Sequence, residues 1–219
     1  SKDETIVRTP FEVRHMGSKY PIFSFDFIGA KKGILPTSYD YLRLEGRMQY
    51  RLNLPPVGYS RLMLEGGKIF GKVPYLLLKL HEGNGTYFYD RYAFSCMNFY
   101  EFSSDAWISF FYEHHFNGFL LGRVPLLKKL NWREVFVFKG VYGTLSARND
   151  GSLPNTKAVM LFPVGMSSVE HPYLETGFGI ENIFRLLRVD CIWRLTHHRA
   201  VPGLSIPTFT VNFSLNLKF

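Results

Sequence analysis

A serine, a histidine and a carboxylate on one face of a strand are the parts of an acyl-transfer site, and Ser109, Glu113 and His115 are spaced so that an extended chain points all three the same way. Nothing resembling a nucleophile elbow surrounds Ser109, so the trio reads as polar strand residues rather than a catalytic set. His114 and His115 are adjacent, hence on opposite faces, and cannot grip one metal together. His197 and His198, beside Arg199, stand where a strand runs into a loop; a phosphate contact is chemically open to them, but solvated loop residues is the plainer reading. Cys96 and Cys191 have neither metal nor redox spacing. Gly66, Gly67, Gly140, Gly143, Gly177 and Gly179 recur within strands, where glycine eases curvature or close approach, and they form no phosphate cradle. The sequence therefore assigns no catalytic, cofactor-binding or metal-ligating residue and calls for no cofactor.

The most informative polar set is a mixed-charge strand bearing Arg43, Glu45, Arg47 and Arg51. Together with Glu65, Glu175, Glu181, Asp190 and Arg194 it is expected to form a lumen-facing charge network. Balanced pairing of this kind fills a small interior and satisfies buried charge; lining a conduit or holding a plug is the functional alternative.

Strands must position these residues. The chain has 219 residues with 46% hydrophobic and 20% charged, which excludes a disordered chain, and an aromatic share of 17% that asks for a reason. Its formal charge is +8, with bases interleaved among acids instead of forming a nucleic-acid-binding block. No apolar run reaches the ~18 residues of a membrane helix. Period-two alternation is nearly everywhere. Phe209, Val211, Phe213, Leu215, Leu217 and Phe219 alternate with polar residues, as do Leu42, Leu44, Met48, Tyr50 and Leu52 with the charged set. Further strands are predicted at 60–70, 93–102, 107–116 and 173–183, around Phe23–Phe27, Phe136–Tyr142 and Val189–Leu195, with 11–15 as an additional one. Residues 54–58, 103–105 and 184–187 read as hairpin turns, and Val124-Pro125 as the start of a short helix. No βαβ rhythm, repeat or linker divides the chain, so 1–219 reads as one all-β antiparallel domain.

Alternation does not say which face is inside. Strands of ~10 residues suit a tilted membrane crossing, and Tyr20, Tyr39, Tyr41, Tyr59, Trp107, Trp132, Tyr173 and Trp193 fall near strand ends, as interfacial girdles would. The strand closing on Phe219 is similar to the terminal assembly signal of bacterial outer-membrane barrels. These features lead to the expectation of an antiparallel transmembrane β-barrel with about 8 to 10 strands in this chain, either a small barrel closed on itself or the C-terminal part of a larger one whose edges pair with strands outside it.

The runs Gly66–Tyr75, Glu113–Gly118, Arg123–Glu134 and Gly179–Phe184 resemble the C-terminal region of a Bacteroidota outer-membrane family of unknown function. Members often carry an N-terminal carboxypeptidase-regulatory-like domain, and their barrel is similar to the BamA/TamA surface-antigen superfamily. The resemblance covers about Tyr20 to Phe219. It implies a bacterial outer-membrane location and, since members are several times longer, a C-terminal part; it supplies no catalytic residues. The expected function is then a non-enzymatic outer-membrane β-barrel, an anchor or a component of an envelope assembly or transport system. Its partners would be outer-membrane lipid and lipopolysaccharide, the barrel assembly machinery and other envelope proteins, with no nucleic acid. The alternatives are a soluble β-barrel ligand-binding module and an outer-membrane lipid hydrolase or acyltransferase.

Overall fold

A computed structural model describes residues 4–8, 13–18, 20–33, 38–152, 158–198 and 205–215. The first two strands, β1 (Glu4–Arg8) and β2 (Val13–Ser18), pair with each other and, among the described residues, with no other strand. Next come β3 (Ile22–Ala30), β4 (Tyr41–Asn53), β5 (Tyr59–Gly71), the short β6 (Lys79–Leu80) and β7 (Phe102–Ser104), and β8 (Ala106–His115). A single helical turn, α1 (Pro125–Lys128), begins on the predicted proline. After it run β9 (Arg133–Thr144), the two-residue β10 (Ser167–Ser168), β11 (Tyr173–Ile183), β12 (Leu187–Arg194) and β13 (Phe209–Leu215).

The long strands form one antiparallel sheet in the order β13-β12-β11-β9-β8-β5-β4-β3, while β10, β7 and β6 make a separate three-stranded sheet. Neighbours in the large sheet are mostly neighbours in sequence, so each hydrophobic alternation locks its register against the next. Arg47 pairs with Glu65, Glu65 with Ser109, and Ser109 with Val141.

The sheet is open, which corrects the barrel expectation. Closure would require β3 to hydrogen-bond β13, whose outer edge is already engaged. Phe213 N donates to the Tyr87 carbonyl at 2.7 Å, Tyr89 N donates to the Phe213 carbonyl at 2.8 Å, and the Asn212 amide reaches the Thr86 carbonyl at 3.1 Å. Among the described residues β3 pairs with β4 alone. The open sheet, with the outer edge of β13 occupied by residues 87–89, overturns the transmembrane barrel, and with it the kinship to BamA/TamA surface-antigen barrels, the outer-membrane location and the anchor or transport function expected of such a barrel. No helix among the described residues is long and apolar enough to cross a membrane. Two of the expected girdle aromatics, Trp107 and Tyr173, sit instead at odd positions on the covered face, buried, with the Trp107 indole donating to Glu65 at 3.3 Å and the Tyr173 hydroxyl to Glu175 at 2.6 Å, whereas Tyr20 and Trp193 are exposed.

The two faces differ sharply. One carries Glu65, Ser109, Glu113, Lys139, Glu175, Asp190 and Arg194, all buried, because residues 73–105 lie across it. Between that segment and the sheet sits a cluster of Met63, Phe94, Met97, Phe102, Phe111, Val141, Val169 and Tyr173, and a second cluster joins Ile69, Val73, Leu78 and Trp107. The other face presents Phe25, Phe27, Ile108, Tyr142, Phe178 and Phe213 uncovered, with Phe27 73% exposed.

The strand predicted at 93–102 is the main local error. Ser95 N and Cys96 N donate instead to the Glu175 carboxylate, at 2.8 and 2.7 Å. A carboxylate distant in sequence thus takes the donors a strand neighbour would have used.

Candidate functional site

The predicted charge residues lie on the covered side of the sheet, but in separate groups, with no enclosed lumen for them to span. Glu65 accepts from Arg47 at 2.7 Å and from Lys79 at 2.7 Å; Arg43 pairs with Glu45 at 2.7 Å. Arg194 pairs with Glu101 at 2.6 Å, and Glu175 holds the Ser95–Cys96 backbone. The network therefore fastens residues 79–101 to the sheet. Of the terminal alternating strand, Phe209, Phe213 and Leu215 are exposed and Val211 is half-buried, while Leu217 and Phe219 lie outside the described residues.

A second group sits deeper at one end of the sheet and centres on Glu113. Its Oε1 accepts from the Tyr89 hydroxyl at 2.6 Å and from Arg188 Nη2 at 3.1 Å, and its Oε2 accepts from Arg91 Nε at 2.7 Å. Arg188 also forks onto Asp190, with Nε 2.7 Å from Oδ2 and Nη2 2.8 Å from Oδ1. Burial alone would raise the Glu113 pKa; the His115 ring, Arg188, Arg91 and the Tyr89 hydroxyl outweigh it and hold the carboxyl well below the ordinary range. His115 Nδ1 lies 3.1 Å from Glu181, and its ring stacks on Tyr59 at 4.4 Å. His114 points the other way, to Ser60 at 2.8 Å and the Val57 carbonyl at 3.0 Å. His115 thus engages Glu181 through Nδ1 and stacks on Tyr59, while its buried Nε2 makes no hydrogen bond and faces Glu113 Oε2 at 3.6 Å.

Above this group opens a cleft of about 1060 Å³. It forms where β4 runs into β5, β8 into the loop before β9, and β11 into β12, with residues 83–93 closing one side. These hairpin ends deliver Arg51, Arg61, Arg133, Arg185 and Arg188, the covering segment adds Arg91, and only Asp90 and Glu181 oppose them. Among the described residues no carboxylate lies within ion-pairing distance of Arg51, Arg61, Arg133 or Arg185, unlike Arg91 and Arg188. Arg51 lies directly opposite Arg61 in the β4–β5 ladder, a like-charge pair that costs stability. Burial, with Arg91 and Arg51 nearby, pulls the Arg61 pKa down, offset only partly by Tyr59 and Glu113. Guanidiniums crowded without carboxylates suit a carboxylate, sulfate or phosphate that accepts their forked donors.

Strand alternation signalled Arg51, on β4, and Glu181, on β11, as polar-face residues, whereas Arg91, Arg133, Arg185 and Arg188 were not singled out for a site. Three of them, Arg133, Arg185 and Arg188, flank turns, and only the shared end of the sheet brings them together. In the other loop His197, read as a solvated loop residue, turns onto the protein, with Nε2 on the His171 carbonyl at 2.8 Å and its ring 5.0 Å from that of Phe102; no cluster among the described residues could hold a metal ion.

No curated protein matches the chain. Residues 4–147 match the C-terminal domain of a family of unknown function, DUF5686, and the chain belongs to that family.

Proposed function

We propose that this domain is a ligand-binding module that takes an anion into the cleft at the hairpin end of its covered face and performs no chemistry on it. The observation that carries the reading is the excess of arginine there: Arg51, Arg61, Arg133 and Arg185 have no carboxylate partner among the described residues, in a cleft of about 1060 Å³. Cavities of roughly 300–1,000 Å³ suit small ligands.

The test is a titration of the chain with inorganic phosphate and with citrate, followed through the arginine Nε–Hε NMR signals, which register weak binding. Saturable shifts at Arg61 and Arg133 are expected. Arg61→Gln should weaken binding by about tenfold, the scale of one charge-assisted hydrogen bond. Arginine signals that stay fixed with both anions would refute the proposal.

A further inference from the structure

The cleft does not end at the charged group. A second depression of about 570 Å³ shares Asn117, Arg133, Asn182 and Arg185 with it, and continues past Lys128 and Trp132. The two are one elongated groove, cationic along its length, since the second part carries Lys128, Arg133 and Arg185 and no acid. A single phosphate would fill a small fraction of it.

Amides line the groove where its two parts meet. Asn117, Asn131 and Asn182 line the second part, each in the left-handed backbone region, with φ of 53°, 52° and 70°. Arg185 joins them at φ 66°, a conformation that costs free energy in a residue other than glycine or asparagine. Asn182 spends its side-chain N–H on the Asn131 backbone carbonyl at 2.8 Å, while the side-chain amides of Asn117 and Asn131 make no hydrogen bond among the described residues. An amide offers a donor and an acceptor together, which matches the paired hydroxyls of a sugar. Trp132, half-buried, supplies an apolar surface for a sugar's C–H face.

We infer that the groove binds an extended, multiply anionic oligosaccharide, its acidic groups on the arginines and its hydroxyls and ring faces on the asparagines and Trp132. This deepens the anion-binding reading and rests on it. A nucleic acid of the same charge is the poorer fit, because single strands are held by successive open aromatic platforms. Here Phe88, Tyr92 and Phe99 are exposed in the first part of the groove, but the Tyr59 ring is covered by His115 at 4.4 Å and the Arg51 guanidinium at 4.2 Å, and among the described residues the second part offers Trp132 alone, beside three asparagines, so the aromatics do not continue along the groove.

The experiment titrates the chain with a fluorescent heparin-derived hexasaccharide, with inorganic phosphate, with a dT hexanucleotide and with neutral maltohexaose. The hexasaccharide is expected to bind far more tightly than phosphate and to lose affinity as salt rises. Lys128→Gln combined with Trp132→Ala should weaken it by about tenfold while leaving phosphate binding unchanged; one charge-assisted hydrogen bond alone accounts for that scale. Both positions are on or beside a surface turn, and an unchanged circular dichroism spectrum establishes that the variant is folded. If phosphate binds at Arg61 but the hexasaccharide ignores the double variant, the saccharide inference fails and the anion-binding reading stands. If the hexanucleotide binds as tightly as the hexasaccharide, the saccharide inference is overturned. If no anion binds, both fall.

Discussion

Replacing Glu113 by glutamine keeps the shape of the side chain and removes one charge from the group at the sheet end. The glutamine carbonyl can still accept from Tyr89 and Arg188, which met Glu113 Oε1 at 2.6 and 3.1 Å. Its amide then faces Arg91 Nε, a donor 2.7 Å from the former Oε2. Breaking a buried ion pair costs about 3–5 kcal/mol when a partner is stranded. Arg188 is not stranded, because it keeps its fork on Asp190, and Arg91, 35% exposed, can turn partly to water. The expected loss is therefore about 2–3 kcal/mol, at or below the bottom of that range. For a chain of this size it lowers Tm by about 4–12 °C.

Urea unfolding is the assay, with the loss read from the midpoint at constant slope. The pH dependence adds an independent check. Glu113 titrates lower in the folded chain than its ordinary ~4.3, so its contribution is complete above that pH and is lost as pH falls through the folded value. The gap between wild type and variant should hold from about pH 5 to 7 and narrow below about pH 4. A loss under about 1 kcal/mol, or a gap that does not change with acid, would refute the assignment of Glu113 as the centre of the group.

Lys139 is buried, and its ammonium donates to the Asp90 and Ala93 carbonyls at 2.8 and 2.5 Å, so Lys139→Met should destabilise by about 2–4 kcal/mol in denaturant unfolding by leaving both carbonyls unpaired. Burial lowers its pKa to about 8, against about 10.4 unfolded, so the unfolded chain binds the extra proton between those values. The Lys139 contribution to stability should therefore rise as pH climbs through that window, measured as the difference from Lys139→Met. Gly58, at φ 106°, closes the β4–β5 turn, where a Cβ would fall onto the His115 carbonyl. Gly58→Ala should lower the unfolding midpoint and weaken phosphate binding together, because Tyr59 and His115 line the cleft; a variant with normal stability would show that the turn yields.

Strands were the legible part of this sequence. Period-two alternation at 42–54 and 173–183 marked β4 and β11 nearly to their ends, because a side chain that misses its face costs burial at every step. Closure was not legible. Whether β13 meets β3 depends on who occupies one edge, and the occupant, Tyr87–Tyr89, sits in a stretch with no alternation of its own. The segment across the sheet was equally hidden, since its donors are satisfied by Glu175 and its carbonyls by Lys139 and Arg194 instead of by a repeating ladder. The cleft followed the same logic: each arginine is unremarkable where it stands in the sequence, and proximity comes only from hairpin ends that finish at one level.

The uncovered face of the sheet has a calorimetric consequence. Unfolding usually raises heat capacity by about 12–15 cal/mol/K per residue, chiefly because apolar side chains become hydrated. In this chain Phe25, Phe27, Ile108, Tyr142 and Phe178 are largely in contact with solvent before unfolding begins, while what unfolding newly wets includes Glu65, Glu113, Glu175, Asp190 and Arg194, whose hydration lowers heat capacity. The stability curve of the domain is accordingly flatter than its length alone would give, with a broad plateau and a shallow descent towards the cold.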